Sequence, residues 1–123
     1  MMYDEKQGSI KSFEDAMAFI HSTSWKGSKL GLSRIAELLE LLGNPQKKLK
    51  FIHIAGTNGK GSTAAMLAGV LVEAGYKTGL YTSPYIHMFC ERIQINSNPI
   101  TDFDLVELAD KLHGCTYCMQ DDR

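Results

Sequence analysis

One seven-residue segment, GTNGKGS at residues 56–62, constrains the fold more than any other part of the sequence. The apolar run FIHIA at 51–55 precedes it and is typical of a strand covered on both faces. The stretch STAAMLAGVLVEA at 62–74 follows it, is apolar nearly all round and ends at Gly75, as expected for a buried helix. KTGLYT at 77–82 predicts a second strand. Strand, loop, helix and strand form a βαβ unit with parallel strands, so we predict an α/β fold.

The glycines of this segment suit it to binding phosphate. Gly56, Gly59 and Gly61 permit a tight, partly positive-φ backbone that turns consecutive N–H groups towards one anion. The helix that follows directs its positive end to the same place, and Lys60 adds a full charge for the β- and γ-phosphates. ATP is therefore the ligand that the segment predicts.

Mg²⁺ accompanies such a nucleotide, and the sequence offers hydroxyl groups for it. Ser62 or Thr63 can coordinate the cation. The segment departs from the general G-x-x-x-x-G-K-[ST] pattern, because its first glycine lies only three positions before Gly59 and Gly61 separates Lys60 from Ser62. The flanking strand and helix compensate, so we interpret the loop as a nucleotide site in preference to a glycine-rich turn without function.

Two helices are predicted before the loop and a further strand after it. Ser12 and Asp15 have the spacing of a capping box, which predicts a first helix that runs to about His21. A second apolar stripe of helical period ends at Gly43. RIQIN at 92–96 alternates apolar and polar residues as a strand does.

A last helix is predicted near the end of the chain. Thr101 with Asp104 caps its start and Gly114 marks its end, so that CTYCMQDDR belongs to no predicted element. Cys115 and Cys118 have C-x-x-C spacing with His113 nearby, which suits part of a zinc site or a redox pair. No fourth ligand lies close in the sequence, so we favour an incidental tail.

Composition excludes several classes of protein. Hydrophobic residues make up 44% and charged residues 22%, which is an ordinary globular mixture. Lys and Arg number 13 against 14 Asp and Glu, so no overall field draws the chain to nucleic acid or an anionic membrane. No apolar run approaches the roughly 18 residues of a membrane span, and three cysteines make no disulfide framework. We expect a cytoplasmic protein without nucleic-acid or membrane partners.

A resemblance to a known family is carried by HIAGTNGKGSTAAMLAGVLVEAGYKTGLYTSPYIHMFCERIQIN. This string resembles the folylpolyglutamate synthase and dihydrofolate synthase family of the Mur ligase superfamily, as does LGLSRIAELLELLGNPQ upstream, so the likeness covers about residues 12–114. The glycine between Lys60 and Ser62 favours the folate branch over the cell-wall branch. The resemblance implies a phosphate-loop NTPase-like parallel βαβ core with N-terminal helices, in an incomplete Mur-ligase-type ATP-binding domain.

The same resemblance implies a reaction, the ATP-dependent ligation of L-glutamate to a folate. A substrate carboxylate takes the γ-phosphoryl group, and the amine of glutamate attacks the resulting acyl phosphate. Lys60 would be catalytic. The ATP phosphates would be held by eight consecutive residues, Gly56, Thr57, Asn58, Gly59, Lys60, Gly61, Ser62 and Thr63.

The resemblance also implies a metal site and a substrate loop. Ser62 and Ser83, the latter in the TSP segment, would bind Mg²⁺. Tyr85, Glu91 and Arg92 would form a candidate substrate loop, in which Glu91 and Arg92 organise the loop or approach substrate. A salt-bridged strand start is an equally good interpretation of Glu91 and Arg92. The family usually has His in place of Tyr85 and Asn immediately before the ERI motif, where this chain has Cys.

The family's polypeptide is several times longer than this chain of 123 residues. We expect residues 1–123 to be a partial N-terminal ATP-binding domain with a tail unlike the family at 115–123, and to have little ligase activity alone. The whole enzyme would be a monomer, whereas exposed apolar surface at 51–82 would let this chain self-associate. Two alternatives stay open: a non-catalytic nucleotide-binding fragment, and another Mur-type amide ligase that acts on a cell-wall precursor.

Overall fold

A computed structural model of the chain describes residues 8–23 and 31–121. The chain divides into two compact units, one up to Lys50 and from Phe103 onwards, the other Phe51–Asp102. Within the described residues no helix has the length and apolar character needed to cross a membrane. In chain order the elements are α1 (Phe13–Thr23), α2 (Ser33–Leu41), a 3₁₀ turn (Pro45–Lys48), α3 (Lys60–Glu73), β1 (Gly79–Tyr81), a second 3₁₀ turn (Phe89–Arg92), β2 (Ile93–Ile95), β3 (Asn98–Pro99) and α4 (Asp102–Asp121).

Local sequence signals fix the ends of helices in the first unit. The Asp15 N–H donates to Ser12 Oγ at 3.1 Å, and the Ser12 N–H donates to Asp15 Oδ2 at 3.2 Å. These reciprocal bonds confirm the capping box at the start of α1. Gly43 follows α2 with φ 79°, and its N–H donates to the Glu40 carbonyl at 2.9 Å, so the predicted glycine stop is also confirmed.

The core of the first unit joins α1 and α4. The Ile10 N–H donates to Asp110 Oδ1 at 2.7 Å, which ties the segment before α1 to α4. The rings of Phe19 and His113 meet edge to face, with centroids 5.2 Å apart. The residues that are buried here are Ile10, Ala16, Phe19 and Ala109.

The last helix extends further than the sequence predicts. Gly114 does not end α4, which continues to Asp121, so placing residues 115–121 outside every element is wrong. A glycine stops a helix when it takes a left-handed backbone, and Gly114 is not among the residues with positive φ. The residues after it, CTYCMQ, include no proline and extend the helical hydrogen bonding.

The second unit contains α3 and a small antiparallel sheet. α3 begins at Lys60, two residues earlier than predicted, and ends at Glu73. The predicted glycine stop, Gly75, follows two residues later with φ 89°, and its N–H donates to the Val72 carbonyl at 2.9 Å. The sheet has the order β1-β2-β3, with Leu80 opposite Gln94. The strand expected within 92–96 is confirmed as β2, and helices with a sheet agree with the α/β class.

The predicted parallel βαβ pair is wrong for the part of the chain that the structure describes. Residues 51–55 form no strand there, and both strand pairings of the sheet are antiparallel. A strand exists only through hydrogen bonds to a neighbouring strand, which apolar character alone does not supply. Phe51 and Ile52 are 71% and 64% exposed, and Met66 of α3 is 66% exposed. The expected apolar surface at 51–82 is thus confirmed, whereas burial of α3 on all sides is wrong.

Candidate functional site

The glycine-rich loop lies in the second unit, immediately before α3. Gly59, the residue before the first turn of α3, has φ 73° and ψ 7°, in the left-handed region. Gly56 and Gly61 do not have positive φ. A Cβ placed on Gly59 or Gly61 would meet no atom within 4 Å. The requirement for glycine at position 59 therefore comes from the backbone angle rather than from crowding.

The start of α3 presents three backbone donors. The first bond of the helix runs from the Thr63 N–H to the Gly59 carbonyl at 3.0 Å. The N–H groups of Lys60, Gly61 and Ser62 precede this bond and have no carbonyl one turn earlier in the helix to bind. Three adjacent donors at the positive end of a 14-residue helix suit an anion.

The side chain of Lys60 folds back over the loop. Its Nζ donates to the Gly56 carbonyl at 2.5 Å and approaches the Thr57 carbonyl at 3.4 Å. The residue is exposed. Because an ammonium group has three donors, these bonds hold the charge at the loop and leave donor capacity for a phosphate oxygen.

Ser83, the second residue predicted to bind metal, follows β1. α3 and β1 contact each other and are joined by residues 74–78, and Ser83 lies two residues after the end of β1. Ser83 is exposed, and its peptide bond to Pro84 is cis. The Thr82 N–H donates to the Arg92 carbonyl at 2.9 Å, which closes the segment 83–91 into a loop whose ends meet.

Glu91 organises the interior of that loop. Its Oε2 accepts the N–H groups of Ile86 at 3.1 Å and His87 at 3.3 Å, and its Oε1 accepts the N–H of Met88 at 3.0 Å. These backbone donors, with Ile86 first and Met88 next, lower the pKa of the Glu91 carboxyl from its ordinary value. The carboxylate thus binds the backbone of its own loop.

Arg92 holds the same loop through aromatic rings. Its guanidinium carbon lies 5.0 Å from the ring centroid of Tyr85 and 5.4 Å from that of Phe89. The Nε atom of Arg92 is buried, and no hydrogen-bond partner reaches it among the described residues. The sequence interpretation missed Phe89, although residues three apart in a 3₁₀ turn lie on one side of it. Cys90 between them is buried, and its Sγ donates to Asp102 Oδ1 at 3.5 Å.

Known proteins resemble this chain over most of its length. The dihydrofolate synthase/folylpolyglutamate synthase of Bacillus subtilis is 46% identical over 101 residues, which cover 82% of this chain and 24% of that protein. A folylpolyglutamate synthetase structure from Lactobacillus casei superposes with a TM-score of 0.84 at 40% identity, covering 90% of this chain and 28% of that one. A structure described as an FPGS-AMPPCP-folate complex gives a TM-score of 0.79 at 39% identity, covering 91% and 27%. No family model matches the sequence.

This chain belongs to the folylpolyglutamate/dihydrofolate synthase family. It spans about a quarter of the length of the relatives that it matches. The resemblance predicted from the phosphate loop, the TSP segment and the ERI motif is therefore confirmed. The likeness in structure extends over both compact units, because the superposition with the Lactobacillus casei protein covers 90% of the chain.

The paired cysteines of this family member lie on a helix. Cys115 is half-buried and Cys118 is exposed, both on α4, and neither forms a disulfide. No group of three or more His, Cys, Asp or Glu residues in ranges 8–23 and 31–121 is placed to hold a metal ion.

Proposed function

We propose that this chain supplies the phosphate-binding part of an ATP-dependent enzyme that joins L-glutamate to a folate. The observation that carries the proposal is the start of α3, where Gly59 turns the backbone and three N–H groups and Lys60 meet. In the proposed reaction a folate or pteroate carboxylate attacks the γ-phosphorus and ADP leaves. The amine of glutamate then attacks the acyl carbon, phosphate leaves, and an amide remains.

The loop residues have distinct tasks in this scheme. The N–H groups of Lys60, Gly61 and Ser62 bind and orient phosphate oxygens, because a helix start favours negative charge. The Lys60 ammonium neutralises charge on the β- and γ-phosphates as the phosphoryl group moves. Residues 56–59 shape the backbone that holds the phosphates. We place all of these in a partial N-terminal ATP-binding domain of the Mur-ligase type.

Magnesium fits the hydroxyl groups of the site. Mg²⁺ takes oxygen ligands, keeps several waters and binds through few protein groups together with substrate phosphates. Ser62, in the first turn of α3, and Ser83, after β1, are both exposed and offer such oxygens. When bound, the ion would neutralise developing negative charge on the phosphates. Tyr85, with Glu91 and Arg92 behind it, would then face the acceptor side of the site.

Relatives support the choice of nucleotide and acceptor. Their names specify folylpolyglutamate and dihydrofolate synthases, and one similar structure is described as a complex with AMPPCP and folate. AMPPCP is a non-hydrolysable analogue of ATP, so it is the natural probe for this chain.

Titration of the 123-residue chain with AMPPCP and Mg²⁺ tests the proposal. We expect Lys60→Ala to bind about ten- to a hundredfold more weakly than wild type, because it loses charge-assisted bonds to phosphate. Lys77→Ala is the matched control: it removes the same charge from an exposed lysine four residues after the end of α3, a helix about 20 Å long whose other end adjoins the loop. Equal affinity of wild type and Lys60→Ala, or equal losses in both variants, would refute the assignment.

A further inference from the structure

The segment 83–91 is held at its base and in its interior by different bonds. At the base, the Thr82 N–H donates to the Arg92 carbonyl. In the interior, one carboxylate, that of Glu91, accepts three consecutive backbone N–H groups, those of residues 86–88. A charged acceptor makes stronger bonds to N–H groups than a neutral one, so this single side chain is the main polar anchor of the loop's interior.

Ser83 lies between these two anchors. It directly follows Thr82, whose N–H belongs to the base, and it precedes by three residues Ile86, the first amide on the carboxylate. Arg92 adds a third contact by packing its guanidinium on Tyr85, two residues after Ser83. The place of the Ser83 hydroxyl therefore depends on bonds made by a residue eight positions later in the sequence.

We propose that Glu91 is a positioning residue, whose carboxylate fixes the 83–91 segment and thereby sets the Ser83 hydroxyl for magnesium-assisted nucleotide binding. This inference rests on the proposed function, since it takes Ser83 to be a magnesium ligand. It assigns Glu91 no contact with substrate. It predicts that loss of the carboxylate reduces the contribution of Mg²⁺ to nucleotide affinity. The affinity that the phosphate loop provides without the ion should stay the same.

Amide hydrogen exchange tests the first half of the proposal. In Glu91→Gln we expect the N–H groups of residues 86–88 to exchange about tenfold faster or more, because the neutral amide is a weaker acceptor with one oxygen. The N–H of Asn96, which donates to the Thr78 carbonyl at 2.9 Å, reports whether the sheet stays folded and should keep its rate. The control is Glu73→Gln, at the exposed end of α3. Unchanged exchange at residues 86–88 overturns the proposal.

Nucleotide affinity tests the second half. AMPPCP is titrated into wild type, Glu91→Gln and Glu73→Gln, once with Mg²⁺ and once with a chelator. We expect the ratio of the two affinities to fall several-fold in Glu91→Gln alone, while its magnesium-free affinity stays within about twofold of wild type. Such a split would not arise from general loss of structure, which weakens both affinities together.

The outcomes separate this inference from the proposed function. A wild-type chain that binds no AMPPCP refutes the proposed function, and the positioning role falls with it. A wild type that binds with a magnesium dependence which Glu91→Gln leaves intact overturns the positioning role alone. Equal losses with and without magnesium in Glu91→Gln also overturn it, because they assign Glu91 to the stability of the unit.

Discussion

Two glycines in the phosphate loop, Gly59 and Gly61, should respond in opposite ways to the same substitution. Both have open space around an added Cβ, with no atom within 4 Å. They differ in backbone angle, since Gly59 has φ 73° and Gly61 lies in the first turn of α3. Replacing either with alanine therefore adds no clash, and the difference between the variants isolates the cost of a left-handed backbone.

The magnitude follows from that comparison. Alanine in the left-handed region costs about 1–2 kcal/mol. Each substitution also restricts the unfolded chain, which stabilises the folded state by about 0.4–1 kcal/mol, and this term cancels between the two variants. We therefore expect the free energy of unfolding of Gly59→Ala to lie about 1–2 kcal/mol below that of Gly61→Ala, with Gly61→Ala at least as stable as wild type.

Urea denaturation of the whole chain, followed by far-ultraviolet circular dichroism, measures this difference. Midpoints are compared at equal slope, because a change in slope would signal a change in the unfolded state. Equal midpoints for the two variants, or a lower midpoint for Gly61→Ala, would contradict the left-handed assignment of Gly59 and place the strain elsewhere in the loop.

Three further predictions follow from single contacts. Ser12→Ala should lower the free energy of unfolding by about 1 kcal/mol, because it removes the capping bond from the Asp15 N–H; an unchanged urea midpoint would contradict the capping box. Gly114→Ala should raise the stability by about 0.5–1 kcal/mol, since α4 runs through an open position there, and a loss would argue for a helix end at this residue. The pKa of Glu91 is lowered on folding, so its bonds stabilise the protein at neutral pH and are lost as the pH falls through that lowered value. The stability gap between wild type and Glu91→Gln, followed by urea midpoints from neutral to acid pH, should therefore close in acid, and a gap that widens would be inconsistent with this sign.

Features that depend on neighbouring residues in the chain could be predicted from the sequence. The capping box of Ser12 and Asp15 and the stops at Gly43 and Gly75 follow from spacing and backbone preference within one or two helical turns. The glycine turn at Gly59 and the start of α3 belong to the same class, because they are adjacent in the chain. Even here Gly114 shows the limit, since glycine permits a left-handed stop without requiring one.

Features that depend on distant partners could not be predicted in this way. The apolar run at 51–55 suggests a strand, yet pairing decides whether a strand forms, and the described strands pair only among themselves. The bonds of Glu91 to the amides of residues 86–88 depend on how the loop closes at Thr82 and Arg92. The ERI motif singles out Glu91 in the sequence. Only the fold shows that the carboxylate of Glu91 binds the backbone of the loop.

Cys90 is buried in the closed loop 83–91, so the rate at which a reagent modifies it depends on how often the loop opens. Cys90 is 4% exposed within that loop, while Cys118 on α4 is exposed. An alkylating reagent would therefore modify Cys118 at once and Cys90 only as often as the loop opens. Comparing the modification of Cys90 with that of Cys118 by mass spectrometry therefore measures how fast the Ser83 loop opens, and it requires no substitution.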